Sequence, residues 1–357
     1  MTLILSNDDV AQLLTVKECM EALEPAYMEL ARGVGINRTR SDAIIKHPTE
    51  KDAVYGLKSM DGVVPSLGVG AVRINSDVIS WPKIGNAQRR KKIPAANGRW
   101  VGLVLVFSTE TGEPLGIMPD GVMQRIRVAA ANGIGIKYMA REDAADVAII
   151  GTGWQAGTQL IAACATRKVT RIRCWSPSAE NRAKFAAEMT PQLGLTVEPM
   201  ADAESAVAGA DIVLCATSSI DPVYFARWVE PGMHLSSIKP AEIENAALKR
   251  CQQIALHLHE DKPLTFAQAG ADAGEAEMAK SWAEQDGIDF TKLPVIADLI
   301  SGKAKGRKSA EDVTAFINNI GMGYQFAVAG GLVCRKAKEM GIGRDFPTEW
   351  FTEDVHP

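Results

Sequence analysis

The stretch Asp146-Val-Ala-Ile-Ile-Gly151-Thr-Gly153-Trp-Gln155-Ala156-Gly157 runs an apolar strand directly into a glycine turn and then into a helix. In that setting GxGxxA reads as a dinucleotide fingerprint. Gly151 permits the tight turn, Gly153 lets a pyrophosphate approach the backbone, and Ala156 lets the helix pack closely on the strand, so that the free helix N–H groups face the anion. About 20 residues on, an NAD site places an acid on the ribose. Here Trp175 leads into Ser176-Pro177-Ser178, with no acid until Glu180. Two hydroxyls and Arg182 suit a 2′-phosphate, which favours NADP, with NAD the alternative; Ser176 and Ser178 serve equally well as caps of the next helix. Thr217-Ser218-Ser219 follows the fourth strand of the same unit, at the carboxyl edge where open sheets bind cofactors, and reads as part of the site or as a plain polar loop.

Arg127 falls on the apolar stripe Met123, Ile126, Ala130, Ile134 of a helix, and a buried guanidinium needs an anion. That anion is a ligand or an internal carboxylate; Arg125, turned away, reads as solvated. Lys58 sits mid-strand in Tyr55-Gly-Leu-Lys58-Ser-Met60, facing the same way as Gly56 and Met60. A half-buried lysine with a lowered pKa moves protons near neutrality, and the plainer reading is an edge-strand surface lysine. Arg38 and Arg40 form a basic pair before a strand, which by itself is loop charge. His257 and His259 read as a structural pair on one strand beside Glu260 and Asp261; with His47, His234 and His356 scattered, no metal site is expected. Arg89-Arg-Lys-Lys92 lies in a stretch from Trp81 to Arg99 expected to be an exposed loop, with a lid or an anion contact as the alternative.

The elements that must position these residues come in three blocks. Thr15-Val-Lys-Glu18 has capping-box spacing and opens a helix to Gly33, with Pro25 inside it. Short β-like runs follow at Val54–Met60, Val69–Asn75, Val101–Ser108 and Pro114–Met118, implying a small, mostly antiparallel sheet. Asp120 then caps a helix to about Ala140. From Asp146, strands and helices alternate, implying a parallel sheet covered on both faces. The last block reads as one long helix from Ala310 to Met340, interrupted at Gly321, Gly323 and Gly330-Gly331. The expected fold class is α/β: a Rossmann dinucleotide-binding domain over 126–320, plus a smaller α+β domain over 1–125 against which the other chain end, 321–357, is able to pack.

With 39 Lys+Arg against 43 Asp+Glu, the net charge of −4 argues against nucleic acid as a partner. The N-terminus lacks the apolar core of an export signal, and no apolar run reaches the roughly 20 residues needed to cross a bilayer. The six scattered cysteines read as reduced, buried residues of a cytoplasmic protein.

Taken together, Tyr55-Gly-x-Lys58, Thr111-Gly112-Glu113-Pro114, Arg127-Val-Ala-Ala130, Gly151-x-Gly153-x-Gln155-Ala156, Ala216-Thr-Ser-Ser219 and Pro231-Gly232-Met233-His234 resemble the ornithine cyclodeaminase/mu-crystallin family, which includes alanine dehydrogenases and imine reductases. The resemblance implies that Lys58 lies beside the reacting carbon, that Arg127 and an N-terminal arginine hold the substrate carboxylate, Arg40 by its place before the strand with Arg38 the alternative two positions away, and that 1–125, completed by 321–357, is the substrate-binding and dimerisation domain of a homodimer. Two departures stand out. Ile238, two before Pro240, replaces an aspartate that handles amino groups in the cyclodeaminases, and an aspartate of the C-terminal helix is replaced around Gln325-Phe326. Ring closure with ammonia loss is therefore disfavoured. The expected activity is NAD(P)H-dependent reduction of a small 2-imino acid, or the reverse oxidation of an amino acid; a cyclodeaminating lyase with a recycled cofactor and a non-catalytic NADP-binding protein are the rivals.

Overall fold

The computed structural model describes residues 1–84, 87–88, 91–259, 263–271 and 287–355. It divides into two compact units, Met1–Arg127 with Glu260–Glu277 and Gly321–Pro357, and Val128–His259 with Met278–Ile320. Among the described residues no helix is long and apolar enough to cross a membrane.

The first unit is built on a ten-stranded sheet in the order Leu264–Ala267, Ser41–Lys46, Ala53–Val64, Val69–Ser80, Val101–Ser108, Pro114–Pro119, Thr2–Ile4, Arg344–Phe346, with Ile36–Asn37 and Lys91–Ile93 pairing alongside. All the pairs are antiparallel except Thr2–Ile4 with Pro114–Pro119 and Leu264–Ala267 with Ser41–Lys46. The unit is thus not the smaller of the two, and its sheet is larger than the four β-like runs implied. Its central strands, Ala53–Val64 and Val69–Ser80, are twelve residues each because their alternation continues past the glycine and polar positions that look like strand ends. The stretch Leu264–Ala267, expected within 126–320, joins the first unit by pairing with Ser41–Lys46. Lys91 and Lys92, expected in an exposed loop, are in a strand paired with Val78, Ile79 and Ser80; Arg89 and Arg90 lie outside the described residues.

Thr15 and Glu18 form the expected capping box on the helix Val16–Ala31, which runs through Pro25. Asp120, expected to cap the helix Gly121–Met139, does not do so with its side chain: that carboxylate is taken by Arg73 and Asn75, and the N–H of Val122 goes to Oδ1 of Asn7. The long helix expected over 310–340 is instead a fully buried strand, Thr314–Ile317, and a separate helix, Gly323–Met340. A short apolar run has no period that tells strand from helix. Gly330-Gly331 does not break the helix; a Cβ there would lie 2.7 Å from Val106 and 2.9 Å from Val69, so the pair marks close approach to the sheet.

The second unit carries a seven-stranded, all-parallel sheet in the order Val197–Pro199, Arg171–Trp175, Asp146–Ile150, Ile212–Cys215, His234–Ser237, Thr314–Ile317, Gln253–Leu256. This is the doubly wound arrangement expected. The order reverses between Asp146–Ile150 and Ile212–Cys215, the place where open α/β sheets bind ligands. One face packs on Val213, Leu235, Ala315 and Trp228, the other on Leu160, Phe185 and Met189. The strand Gln253–Leu256 stops short of His257, which is buried with Nδ1 2.7 Å from the carbonyl of Ile320, while His259 is exposed; the two do not share a strand. Glu260, Asp261 and His356 lie outside the described residues.

Candidate functional site

In the first unit, the strand Val69–Ser80 alternates with period two, burying Val69, Ala71, Arg73, Asn75, Asp77 and Ile79. An apolar inner face is thereby interrupted by three consecutive inward polar residues. Register carries the polar patch across the sheet: Asp42, Lys58, Asn75 and Gly102 lie opposite one another on four adjacent strands, with Arg73 opposite Met60 and Asp77 opposite Gly56. Lys58 is only 5% exposed and stands on an interior strand, so the edge-strand alternative does not apply.

Ion pairs order this face. Arg73 donates Nε and Nη2 to Oδ2 of Asp120 at 2.8 and 2.6 Å, and Nη2 also reaches Oε1 of Gln124 at 2.7 Å. Asn75 donates to the same Asp120 oxygen at 3.1 Å. Arg40 donates to Oδ2 of the buried Asp42 at 2.8 Å, whereas the largely exposed Arg38 faces Asp61 at 3.3 Å. Of the basic pair, Arg40 therefore reaches the buried polar face. Lys92 reaches Oδ1 of Asp77 at 2.7 Å.

Arg127 is buried, with Nη1 donating to Oε1 of Gln325 at 2.9 Å and its guanidinium 5.1 Å from the Phe326 ring centre. Arg73 sits 5.2 Å from the same ring. Among the described residues no carboxylate pairs with Arg127, and its Nε has no hydrogen-bond partner. The internal salt bridge weighed from the sequence is absent there. Desolvation, helped by the like charge of Arg73, lowers the Arg127 pKa to about 10. Gln325 in turn donates Nε2 to the Tyr27 hydroxyl at 2.9 Å, so the amide is locked between a helix of the N-terminal block and Arg127. Arg125, expected in solvent, is partly buried.

In the second unit the fingerprint takes its expected shape. Gly151 has φ +108, and a Cβ there would lie 2.2 Å from the carbonyl oxygen of Ala216; a Cβ on Gly153 would meet nothing within 4 Å. Gln155 occupies the N-cap position of the helix Ala156–Thr166 without a side-chain capping bond, and Ala156 is fully buried. Oγ1 of Thr152 and Oγ of Ser176 lie 2.8 Å apart, tying the glycine loop to the end of the second strand. Ser178 caps the helix Ala179–Leu193 by accepting from the N–H of Asn181 at 3.2 Å, the plainer of its two readings, and Arg182 donates Nη1 to the carbonyl of Ser176. The Thr217 hydroxyl is spent on Glu242 and that of Ser219 on the carbonyl of Asp221; Ser218 is exposed.

Sequence reasoning missed Arg73, Asp77, Asp120, Gln325 and Glu242 as parts of these arrangements. The first two had a signal, since polar residues at every second place of an otherwise apolar alternation mark a lined interior. Glu242 had none. It is fully buried, accepting from the Thr217 N–H and hydroxyl, each at 2.7 Å, and from the Ile238 N–H at 3.1 Å; burial raises its pKa to about 7 against the pull of the Lys239 ammonium.

Comparison with known proteins follows the same outline. A model of the ornithine cyclodeaminase/mu-crystallin family matches residues 1–340. A Δ1-pyrroline-2-carboxylate reductase of Bacillus cereus is 26% identical over 252 residues, covering 68% of this chain and 73% of that one. Among solved structures, the Δ1-pyrroline-2-carboxylate reductase of Thermococcus litoralis, in complex with NADH and L-proline, superimposes with a TM-score of 0.77 at 24% identity over 97% of this chain and all of that one. An archaeal alanine dehydrogenase dimer with bound NAD gives a TM-score of 0.75 at 22% identity, over 97% and 99% of the two chains.

Proposed function

Because this chain belongs to the ornithine cyclodeaminase/mu-crystallin family, we propose that it transfers hydride between a nicotinamide dinucleotide and the carbon of a small 2-imino acid, reducing the imine or, in reverse, oxidising the amino acid. The observation that carries this reading is Arg127, a buried guanidinium held by a neutral amide and without a carboxylate partner among the described residues. Leaving such a charge buried is costly, and a carboxylate matches its fork with two parallel hydrogen bonds. The 2-imino acid brings that carboxylate.

In this reading the first unit binds the acid and the second the dinucleotide. Arg127 and Arg40 neutralise the carboxylate, and Lys58 gives the imine nitrogen its proton or takes it back. Arg73 and Asp120, joined by two hydrogen bonds, fix the polar side chains of that face in place. Orientation and charge neutralisation supply most of the rate. Gly151, Gly153, Gln155 and Ala156 fit a pyrophosphate, since the backbone at Gly153 is open and no side chain caps the helix behind it. When bound, the reduced nicotinamide supplies the hydride. The strand end at Ser176 carries no acid to repel a 2′-phosphate, and although Ser178 caps its helix and Arg182 donates to the Ser176 carbonyl, both stand beside that strand end, so NADP is the preferred form in this reading and NAD the alternative.

A second copy of the chain completes the protein in this proposal. The outer face of the large sheet exposes Ile45, Leu57, Val101 and Leu103, each at least 40% exposed. Leu57 lies opposite Ala43 and, through Ser76, in line with Val101, so these side chains share one face of adjacent strands. An apolar sheet face of this extent marks an association surface.

The function is tested by supplying 2-oxo acids with ammonia or methylamine, and cyclic 2-imino acids, while following the loss of NADPH and NADH separately. Net oxidation with one acid establishes the activity. Ammonia release with no net change in the dinucleotide assigns the lyase instead, and tight NADPH binding without turnover of any acid assigns a binding protein.

A further inference from the structure

We infer that Glu242 is a positioning residue for the dinucleotide, its buried carboxylate fixing the loop Thr217 to Ser219 in the shape that the cofactor meets. This rests on the function proposed above and adds to it a residue far from the fingerprint in sequence. Both carboxylate oxygens are spent on loop donors. One accepts the Thr217 N–H and hydroxyl, the other the Ile238 N–H. Those two loops leave the carboxyl ends of the neighbouring parallel strands Ile212–Cys215 and His234–Ser237. The first starts at Ala216, whose carbonyl lies against Gly151 at the reversal of strand order.

The rest of the loop hangs on the same residue. The Thr217 hydroxyl, donating to Glu242, accepts the Ser219 N–H at 3.2 Å, and the Lys239 ammonium donates to the Ser219 carbonyl. The backbone oxygen of Glu242 accepts from Val223 and Tyr224 at 2.8 and 3.1 Å, closing the far end of the segment. Just before it, Ala241 is held at φ +65, which a non-glycine residue adopts only when its surroundings enforce it. Packing alone would favour an apolar side chain at a fully buried position. A carboxylate there breaks the local rule, and such breaks mark functional places.

The test is a double-mutant cycle on the full-length enzyme with Glu242→Gln and Thr217→Val, reading the dinucleotide KM, the acid KM and kcat, together with amide exchange of segments 216–220 and 238–240. The amide of glutamine presents an NH2 where one loop N–H now donates. Each single variant is expected to raise the dinucleotide KM ~10-fold with the acid KM and saturating kcat kept, and the double variant no further, the behaviour of two groups sharing one network. Exchange is expected to quicken in those two segments and nowhere else. An unchanged dinucleotide KM, strictly additive effects, or exchange quickened throughout the molecule would overturn the inference. Failure of the unmodified chain to bind NADPH or NADH in a fluorescence titration would overturn the proposed function itself, an outcome distinct from these.

Discussion

Nη1 of Arg127 lies 2.9 Å from Oε1 of Gln325, a buried cation answered by a neutral amide. The pairing orients the guanidinium without discharging it. Glu in place of Gln325 would supply the missing negative charge from within the protein. Gln325→Glu is therefore expected to hold or raise the melting temperature while raising the KM for the acid by ~10 to 100-fold, because the substrate must displace an internal partner. Steady-state kinetics at saturating dinucleotide check this, and an unchanged KM would remove Arg127 from the acid site.

Lys58 faces Asp42 and Asn75 across the sheet and is nearly inaccessible. As the proton-handling group it should matter for turnover and not for the dinucleotide, which the second unit binds. Lys58→Ala is expected to lower kcat by ~10²- to 10⁴-fold with NADPH affinity unaltered. A variant with ordinary turnover refutes the role.

The two fingerprint glycines should respond in opposite ways. At Gly151 a side chain would strike the Ala216 carbonyl and the backbone is left-handed, so Gly151→Ala is expected to unfold at lower temperature. At Gly153 a side chain meets no protein atom within 4 Å, so Gly153→Val should melt like the parent but lose ~10-fold or more in dinucleotide affinity. Paired melting and fluorescence titration separate the two effects.

Burial raises the Glu242 carboxyl from 4.5 to about 7 in the folded chain, with the Lys239 ammonium opposing. Between those values the native state holds a proton that the unfolded state has released, so stability from this group is present at low pH and lost as pH rises through about 7. The gap corresponds to ~3 kcal/mol at most. Glu242→Gln, which cannot ionise, lacks this pH dependence, so whatever stability its mismatched NH2 costs, the difference from the parent is expected to narrow as pH rises from 4.5 to 7, as read from urea unfolding at several pH values. A constant difference across that range would show that Glu242 does not titrate there.

If the outer sheet face joins two copies, charge placed on it should part them. Leu57→Glu with Leu103→Glu is expected to elute as a monomer in size-exclusion chromatography with its circular dichroism unchanged, while the parent elutes as a dimer. A parent that elutes as a monomer at micromolar concentration ends that part of the proposal.

The sequence alone determined what depends on neighbours along the chain. The turn and helix start at Gly151 to Ala156, the capping box at Thr15 and Glu18, the place of Arg127 on the apolar stripe of its helix, the shared face of Gly56, Lys58 and Met60, and the alternation of the second unit are all set by local sterics, by capping chemistry and by periods of two and 3.6 residues. That this face of Lys58 is buried was decided by the interior position of its strand. Only the tertiary structure decided what depends on register between distant strands. That Asp42, Lys58 and Asn75 form one row follows from which strands pair, and a one-residue slip there would turn every side chain to the opposite face. That Asp120 leaves its helix end for Arg73, that Gln325 answers Arg127 from another helix, and that Glu242 holds Thr217 from another loop follow from how segments far apart in the chain pack, which no local propensity fixes.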